Sequence, residues 1–249
     1  MNYKVKTVAI IPARIESIRL PRKALLEICG LPMIVHVYKR CMLSKKLDEV
    51  YVATDSLEIK KIVEIYGGKV IMTSSKHQTG TDRIAEAAQD IDAEIIVNIQ
   101  GDEALVNPLY IDKVVAKLEA NPDINVGMLV NSYSKKNRPS DIKVVLDNNS
   151  DILYISRSDI PSNSRTENPP MLKAYHIVPF RKKFLLEFTK LKKSNLEKIE
   201  YNEYLRIIEN GYKIRAIEVE SDAVSVDTQE DLDYVRSEML KDYWFCQYS

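Results

Sequence analysis

The chain has 249 residues, enough to bury a substantial core as one large domain or as one domain with a subdomain. Its 36 Lys and Arg balance its 36 Asp and Glu, so bulk charge predicts no nucleic-acid partner and no membrane partner. Three cysteines without metal-ligand spacing predict free thiols in a reducing cytoplasm, and no apolar run has the length of a signal peptide or a membrane span.

Strand and helix patterns alternate through the first half of the chain. An apolar run at 8–11 predicts a buried strand that ends at Pro12, and a basic loop follows it. Further strands are predicted at 49–53, 69–72 and 95–99, and helices begin at Pro32, after the capping segment Thr54–Ser56, and at Asp82. This rhythm predicts an α/β fold with a mostly parallel sheet covered on both faces.

The second half loses this rhythm near residue 125. Strands are predicted there without helices between them, and a polar loop spans 156–170. An antiparallel subdomain is therefore expected at about 130–210. The elements expected in this half are strands at 126–133, 142–146, 152–155 and 213–219, and helices at 181–190, 196–210 and 228–241.

Charged residues follow two of the predicted strands. Arg14, Arg19, Arg22 and Lys23 lie in the basic loop, where the carboxyl end of a first strand commonly binds ligand, so a nucleoside triphosphate is the expected guest. Asp102 follows the strand at 95–99, and Asp227 lies between a strand-like run and a helix. Paired carboxylates suit Mg²⁺, the ion that a triphosphate requires. A solvated loop, a turn carboxylate and a helix-cap neighbour remain the alternatives for these residues.

Several motifs together resemble one enzyme family. The chain is similar to the bacterial 3-deoxy-manno-octulosonate (Kdo) cytidylyltransferases over about residues 5–240, in the segments IIPARIESIRLPRKAL, YVATD, MTSSKHQTGTDR, VNIQGDE, LEKIEYNEYLR and VSVDTQEDL. The resemblance implies a three-layer nucleotidyltransferase fold, Rossmann-like with a mixed sheet and a smaller dimerisation subdomain. It also implies a homodimer and a product that feeds lipopolysaccharide or capsule synthesis.

The resemblance assigns a role to each matching residue. The implied reaction is attack by the anomeric hydroxyl of a 2-keto sugar acid on the α-phosphorus of CTP, with loss of pyrophosphate. Arg14 and Lys23 would hold the CTP phosphates, with Arg19 near them, and Asp102 and Asp227 would bind Mg²⁺. The implied nucleoside contacts are Ala13, Gly80, Thr81 and Arg83, and the implied sugar-acid contacts are Gln100 and Glu203.

The sugar half departs from the family pattern. A His and a Tyr of that pattern fall on Ala174 and Val178, while His176, displaced by two residues, stays on the same face if the segment is one strand. Ala104 replaces a Pro. We therefore expect Kdo or a modified relative, such as an 8-amino form, as the acid. A sialic-type acid, a nucleotide-sugar-dependent glycosyltransferase and a non-catalytic nucleotide-binding protein are the alternatives.

Overall fold

The computed structural model describes residues 6–17, 19–220 and 224–249. The chain divides into two compact units, one formed by Met1–Lys113 with Ala223–Ser249 and the other by Val114–Asp222. The subdomain predicted at about 130–210 lies within the second range. Among the described residues, no helix combines the length and the apolar character that crossing a membrane requires.

The first part of the chain alternates strands and helices, as predicted. In chain order the elements are β1 (Thr7–Ala13), a 3₁₀ helix (Lys23–Leu25), β2 (Glu27–Ile28), β3 (Leu31–Pro32), α1 (Met33–Cys41), β4 (Glu49–Thr54), α2 (Leu57–Ile65), β5 (Val70–Met72), α3 (Gly80–Ala88), β6 (Ile95–Ile99) and α4 (Pro108–Glu119). β1 pairs in parallel with β6 on one side and with β4 on the other, and β4 pairs in parallel with β5. The predicted parallel sheet is confirmed.

The rest of the chain is mainly antiparallel. Its elements are β7 (Gly127–Tyr133), β8 (Lys143–Leu146), β9 (Ile152–Ser156), β10 (Met171–Tyr175), β11 (Ile177–Arg181), α5 (Lys182–Phe188), α6 (Asn195–Glu200), α7 (Leu205–Glu209), β12 (Arg215–Glu218), α8 (Gln229–Met239) and a 3₁₀ helix (Phe245–Gln247). The sheet of the second unit has the order β12-β7-β10-β8-β9. Its pairs are antiparallel except β12 with β7, which is parallel.

The first strand continues past the proline that was predicted to end it. Pro12 lies within β1, opposite Ala53 of β4. On the other side the pairing with β6 ends at Ile10 and Asn98, two residues before Pro12. A proline is tolerated there because its missing N–H falls where the ladder has only one partner strand.

Two further predictions of element bounds are wrong, and one helix was missed. α3 begins at Gly80 instead of Asp82, because the Thr79 side chain accepts the Asp82 N–H and caps the helix. The helix predicted at 196–210 is two helices, since Tyr201 adopts a left-handed conformation with φ of 49° and ends α6. α4 was not predicted.

A small apolar cluster holds together segments that are distant in sequence. It lies within the first unit and joins α8 to the loops after β1 and β6. Its buried members are Leu20, Ile28, Met33, Ala104, Val226, Leu232, Val235 and Met239. Burying such side chains contributes roughly 1.5–3 kcal/mol each, so the cluster fixes the loops that carry Lys23, Asp102 and Asp227.

Candidate active site

Polar residues follow each strand of the parallel sheet at one edge. Arg14 follows β1, Asp55 follows β4, Thr73 follows β5, and Gln100 follows β6. The carboxyl ends of parallel strands meet at a common edge, where open α/β sheets bind their ligands. The fold therefore gathers these polar groups into one region.

A small pocket opens at this edge of the sheet. Its lining is Pro12, Ala13, Arg14, His77, Thr79, Gly80, Arg83 and Gln100. Five predicted site residues are thus brought together here. Thr81 is not among the lining residues, since it is fully buried and its hydroxyl accepts a bond from the Asn98 amide at 3.5 Å.

Two basic side chains of the pocket are held by groups outside its lining. The Arg83 guanidinium donates to the Thr73 hydroxyl at 2.6 Å and lies 3.2 Å from the Asp55 carboxylate. The His77 ring is hydrogen-bonded to Glu86, which also accepts the Ser74 N–H at 2.9 Å. The hydrogen bond from His77, and to a smaller extent that from Ser74, lowers the pKa of the Glu86 carboxyl. Glu86 is therefore an ionised partner for the loop that carries Ser74 and His77.

A second cluster joins the two predicted metal carboxylates through one ammonium group. Lys23 Nζ donates to Asp102 Oδ2 at 2.5 Å and to Asp227 Oδ1 at 3.2 Å, and Arg19 donates to the same Asp227 oxygen at 2.8 Å. In this Lys23 cluster Lys23, Asp102 and Asp227 are only 19–23% exposed, whereas the fourth member, Arg19, is 58% exposed. Burial acts to lower the pKa of Lys23, but the two carboxylates outweigh it and raise that pKa above its usual value.

Backbone contacts explain why Asp102 and Asp227 meet. The Val226 N–H donates to the Asp102 carbonyl oxygen at 3.1 Å, which places the segment before α8 beside the loop after β6. In that loop Gly101 packs closely, since a Cβ there would lie 3.0 Å from the Pro12 carbonyl oxygen. The cap of α8 is Thr228, bonded to Asp231, so Asp227 is not the capping residue.

The donor set fits a magnesium ion better than a structural metal. No group of three or more His, Cys, Asp or Glu with metal-binding geometry occurs in the part of the chain that the structure describes. Mg²⁺ keeps several waters and is commonly held by one or two carboxylates together with substrate phosphates. Asp102 and Asp227, which already share one cationic partner, provide such a pair.

Two of the predicted sugar-acid residues, His176 and Glu203, lie in the second unit, whereas Gln100 lies in the first, and one prediction about His176 is wrong. His176 interrupts the strand between β10 and β11, so it does not share a strand face with Ala174 and Val178. These two positions are 1% and 0% exposed and present no surface to a ligand. The His176 ring stacks against Tyr204, next to Glu203, with centroids 6.5 Å apart.

Sequence reasoning missed the residues that contact Arg83 and His77 in the pocket. Asp55 was interpreted as part of a helix cap, but Ser56 caps α2 and Asp55 contacts Arg83. Thr73 and Glu86 were not singled out. The available signal was position, since Asp55 and Thr73 follow strands at the same edge as the residues that were predicted.

Known proteins with similar sequences identify the family. The cytidylyltransferase family model matches residues 8–214. The chain belongs to the cytidylyltransferase family. It is 43% identical over 245 residues to the 3-deoxy-manno-octulosonate cytidylyltransferase of Geobacter metallireducens, a match that covers 93% of this chain and 96% of the relative.

Two further relatives distinguish the acids that such proteins use. The chain is 41% identical to the 8-amino-3,8-dideoxy-manno-octulosonate cytidylyltransferase of Shewanella pealeana, over 90% of this chain and 94% of the relative. It superposes with a TM-score of 0.91 and 38% identity on a CMP:2-keto-3-deoxy-manno-octonic acid synthetase solved with CTP, covering 95% and 99% of the two chains. The predicted family and nucleotidyltransferase fold are confirmed.

Proposed function

We propose that this cytidylyltransferase moves CMP from CTP to the anomeric hydroxyl of a 2-keto-3-deoxy sugar acid and releases pyrophosphate. The observation that carries the proposal is the Lys23 cluster, in which two cations that follow β1 meet one carboxylate that follows β6 and one that precedes α8. Asp102 lies only two residues from Gln100, which lines the pocket. A triphosphate requires both cations and a metal-binding pair, and the cluster supplies both.

The proposal assigns a role to the residues of the Lys23 cluster and to those of the pocket. Arg14, Arg19 and Lys23 bind the phosphates, and Lys23 neutralises charge that grows on the departing pyrophosphate. Asp102 and Asp227 would hold Mg²⁺, which would supply charge neutralisation at the phosphates and lower the pKa of the acceptor hydroxyl. Ala13, Gly80 and Arg83 hold the nucleoside.

The acceptor belongs to the 3-deoxy-octulosonates. Relatives at 43% and 41% identity are named for Kdo and for its 8-amino form, respectively. Ala174 and Val178, the two positions that suggested a modified acid, are both buried. We therefore propose Kdo as the acid.

The cellular setting follows from the reaction. An activated 3-deoxy-octulosonate serves lipopolysaccharide or capsule synthesis, and CTP is a cytoplasmic substrate, so we place the enzyme in the cytoplasm. We also propose a homodimer. Leu153, Ile199 and Tyr201 of the second unit are 56%, 72% and 83% exposed, and large exposed apolar side chains are common at interfaces between protein copies.

The test is pyrophosphate release by the purified full chain. CTP, UTP, ATP and GTP are each offered with Kdo and Mg²⁺, and again without the acid. We expect release with CTP and Kdo only, and a matched loss when Mg²⁺ is chelated. Transfer of sugar from a nucleotide sugar to an acceptor, without pyrophosphate, would instead establish the glycosyltransferase alternative.

A further inference from the structure

Arg83 is a buried cation that two neighbouring side chains hold in place. Its side chain is 6% exposed, and the acidic group paired with it is Asp55, with 3.2 Å between Arg83 Nη2 and Asp55 Oδ1. A second guanidinium nitrogen, Nη1, donates to Thr73 at 2.6 Å. Arg83 lines the pocket, whereas Asp55 and Thr73 do not. The two contacts therefore hold the guanidinium in place, and neither partner lines the pocket itself.

The partners of Arg83 are themselves rigid. Asp55 directly follows β4 and directly precedes Ser56, whose side chain caps α2 by accepting the Ile59 N–H. The Thr73 N–H donates to the Thr54 carbonyl oxygen at 2.9 Å, which ties the end of β5 to the end of β4. Sites built on the ends of regular elements hold their geometry more precisely than sites on free loops.

The chemistry of arginine gives this orientation a use. A guanidinium has five N–H donors and no acceptor. Beyond the hydrogen bond to Thr73 and the ion pair with Asp55, Arg83 can therefore offer only donors to a ligand. In cytosine the ring carbonyl oxygen and the unprotonated N3 are adjacent acceptors. In uracil N3 carries a proton, and a donor directed at it is left unpaired, which costs roughly 1–3 kcal/mol in a buried site.

We propose that Asp55 is a positioning residue that aims Arg83 at the acceptor edge of cytosine, and that it thereby sets the preference for CTP over UTP. The inference rests on the proposed function, because it takes the nucleoside of CTP as the occupant of the pocket. The Glu86 carboxylate also attracts the Arg83 guanidinium electrostatically. Its hydrogen bond, however, is to His77, so we assign the positioning of Arg83 to Asp55.

The experiment measures CTP and UTP binding to the full chain by calorimetry in the presence of a chelator, and then steady-state kinetics with Mg²⁺. The variants are Asp55→Asn, Arg83→Lys and the double variant. The matched control is Glu64→Gln, which removes the same charge from an exposed pair with Lys60 on α2. Thermal unfolding of each variant reports its stability separately.

We expect Asp55→Asn to weaken CTP binding at least about tenfold and UTP binding much less, a loss comparable to one misdirected charged hydrogen bond. The kcat at saturating CTP should stay within about twofold, because Asp55 does not touch the reacting groups. In the Arg83→Lys background the same substitution should change CTP binding by less than about twofold, since the two side chains act as one unit.

The outcomes separate the inference from the function on which it rests. If the wild-type chain binds CTP no better than UTP, the proposed cytidine site is wrong. If the wild type prefers CTP and Asp55→Asn keeps that preference, Asp55 has only a structural role and the inference fails alone. If the losses of CTP binding in the two single variants simply add in the double variant, the positioning role of Asp55 is also wrong. This holds even if Asp55→Asn lowers the melting temperature.

Discussion

His36 is a buried imidazole whose two nitrogens are both used, and this makes it a source of acid sensitivity. Its Nε2–H donates to the Ile28 carbonyl oxygen at 2.7 Å, and the Tyr248 hydroxyl donates to Nδ1 at 2.8 Å. Tyr248 in turn accepts a bond from Arg40 at 3.1 Å. Burial, with a smaller contribution from the charge of Arg40, lowers the pKa of His36 to about 4.

The direction of the pH effect follows from that shift. The folded state disfavours protonated His36, so its stabilising contribution is complete above the unfolded pKa of about 6.5 and declines as pH falls toward 4. The full shift corresponds to about 3 kcal/mol. We expect the unfolding free energy of wild type to fall between pH 7.5 and pH 4 by about that much more than the unfolding free energy of His36→Gln, measured by urea titration. Equal declines would show that His36 does not govern this range.

The two carboxylates of the Lys23 cluster should be essential for turnover. Asp102→Asn or Asp227→Asn removes one charge from the proposed Mg²⁺ pair and is expected to lower kcat at least about a thousandfold, or roughly 4 kcal/mol of transition-state stabilisation. Asp233→Asn, an exposed carboxylate on α8, is the matched control and should leave kcat unchanged. Circular dichroism checks that each variant is folded, and wild-type rates in a folded variant would contradict the metal assignment.

Among individual residues, sequence reasoning identified the charged candidate ligand contacts and missed the residues that position their side chains. Lys23, Asp102 and Asp227 were predicted to act together, and the structure joins them. Asp55 was missed because the residues between it and Arg83 carry no pattern that links a strand end to a helix face. Such a contact is set by how α3 packs on the sheet, which periodicity does not encode.

The segment that carries Lys23 brings a cation to the carboxylate pair. The Lys23 ammonium contacts both Asp102 and Asp227, which we propose as the Mg²⁺ ligands. In that proposal the ammonium and the ion compete for the same carboxylates. A bound triphosphate would offer Lys23 other partners, so we expect CTP and metal to bind cooperatively.

This competition is measurable without turnover. We expect Lys23→Met to bind Mn²⁺ at least about tenfold more tightly than wild type in the absence of nucleotide, because removing the cation leaves two carboxylates poorly compensated. Electron paramagnetic resonance of free Mn²⁺ gives the affinity. Lys60→Met, an exposed site on α2, is the control for lost charge. Equal or weaker binding by Lys23→Met would show that the ammonium does not compete with the metal.

The elements that sequence reasoning placed correctly are those whose local signals agree with their packing. β6 was predicted at its observed bounds because a run of five residues, apolar except for Asn98, is bounded by polar residues on both sides. The break between α6 and α7 was missed because Tyr201 in a left-handed conformation carries no glycine signal. His176 was misplaced for a related reason, since no proline or glycine marks the interruption of the strand.

For the whole molecule, the exposed apolar residues of the second unit predict association between copies. Ile199 and Tyr201 lie near β9, since the Tyr154 hydroxyl donates to Glu200 at 3.2 Å and Arg157 donates to the Tyr201 carbonyl oxygen at 3.3 Å. We expect a dimer by light scattering, and Ile199→Asp with Leu153→Asp should shift it toward monomer. The control is Leu57→Asp, at an equally exposed position of the first unit. A monomeric wild type at micromolar concentration would contradict the proposed homodimer.

The choice of acid stays a prediction, and the burial of two residues changes its direction. Ala174 and Val178 were expected to leave hydroxyls of Kdo unpaired, but both are buried in the second unit, so they give no reason to expect poor use of Kdo. We expect kcat/KM for Kdo to exceed that for its 8-amino form and for a nine-carbon sialic-type acid, at fixed CTP and Mg²⁺. His176 stacks on Tyr204, so His176→Ala should raise KM for Kdo several-fold while leaving KM for CTP unchanged. A preference of more than about tenfold for the 8-amino acid would mean that residues other than Ala174 and Val178 have changed the specificity, because a tenfold preference corresponds to about 1.4 kcal/mol, the size of one added polar contact.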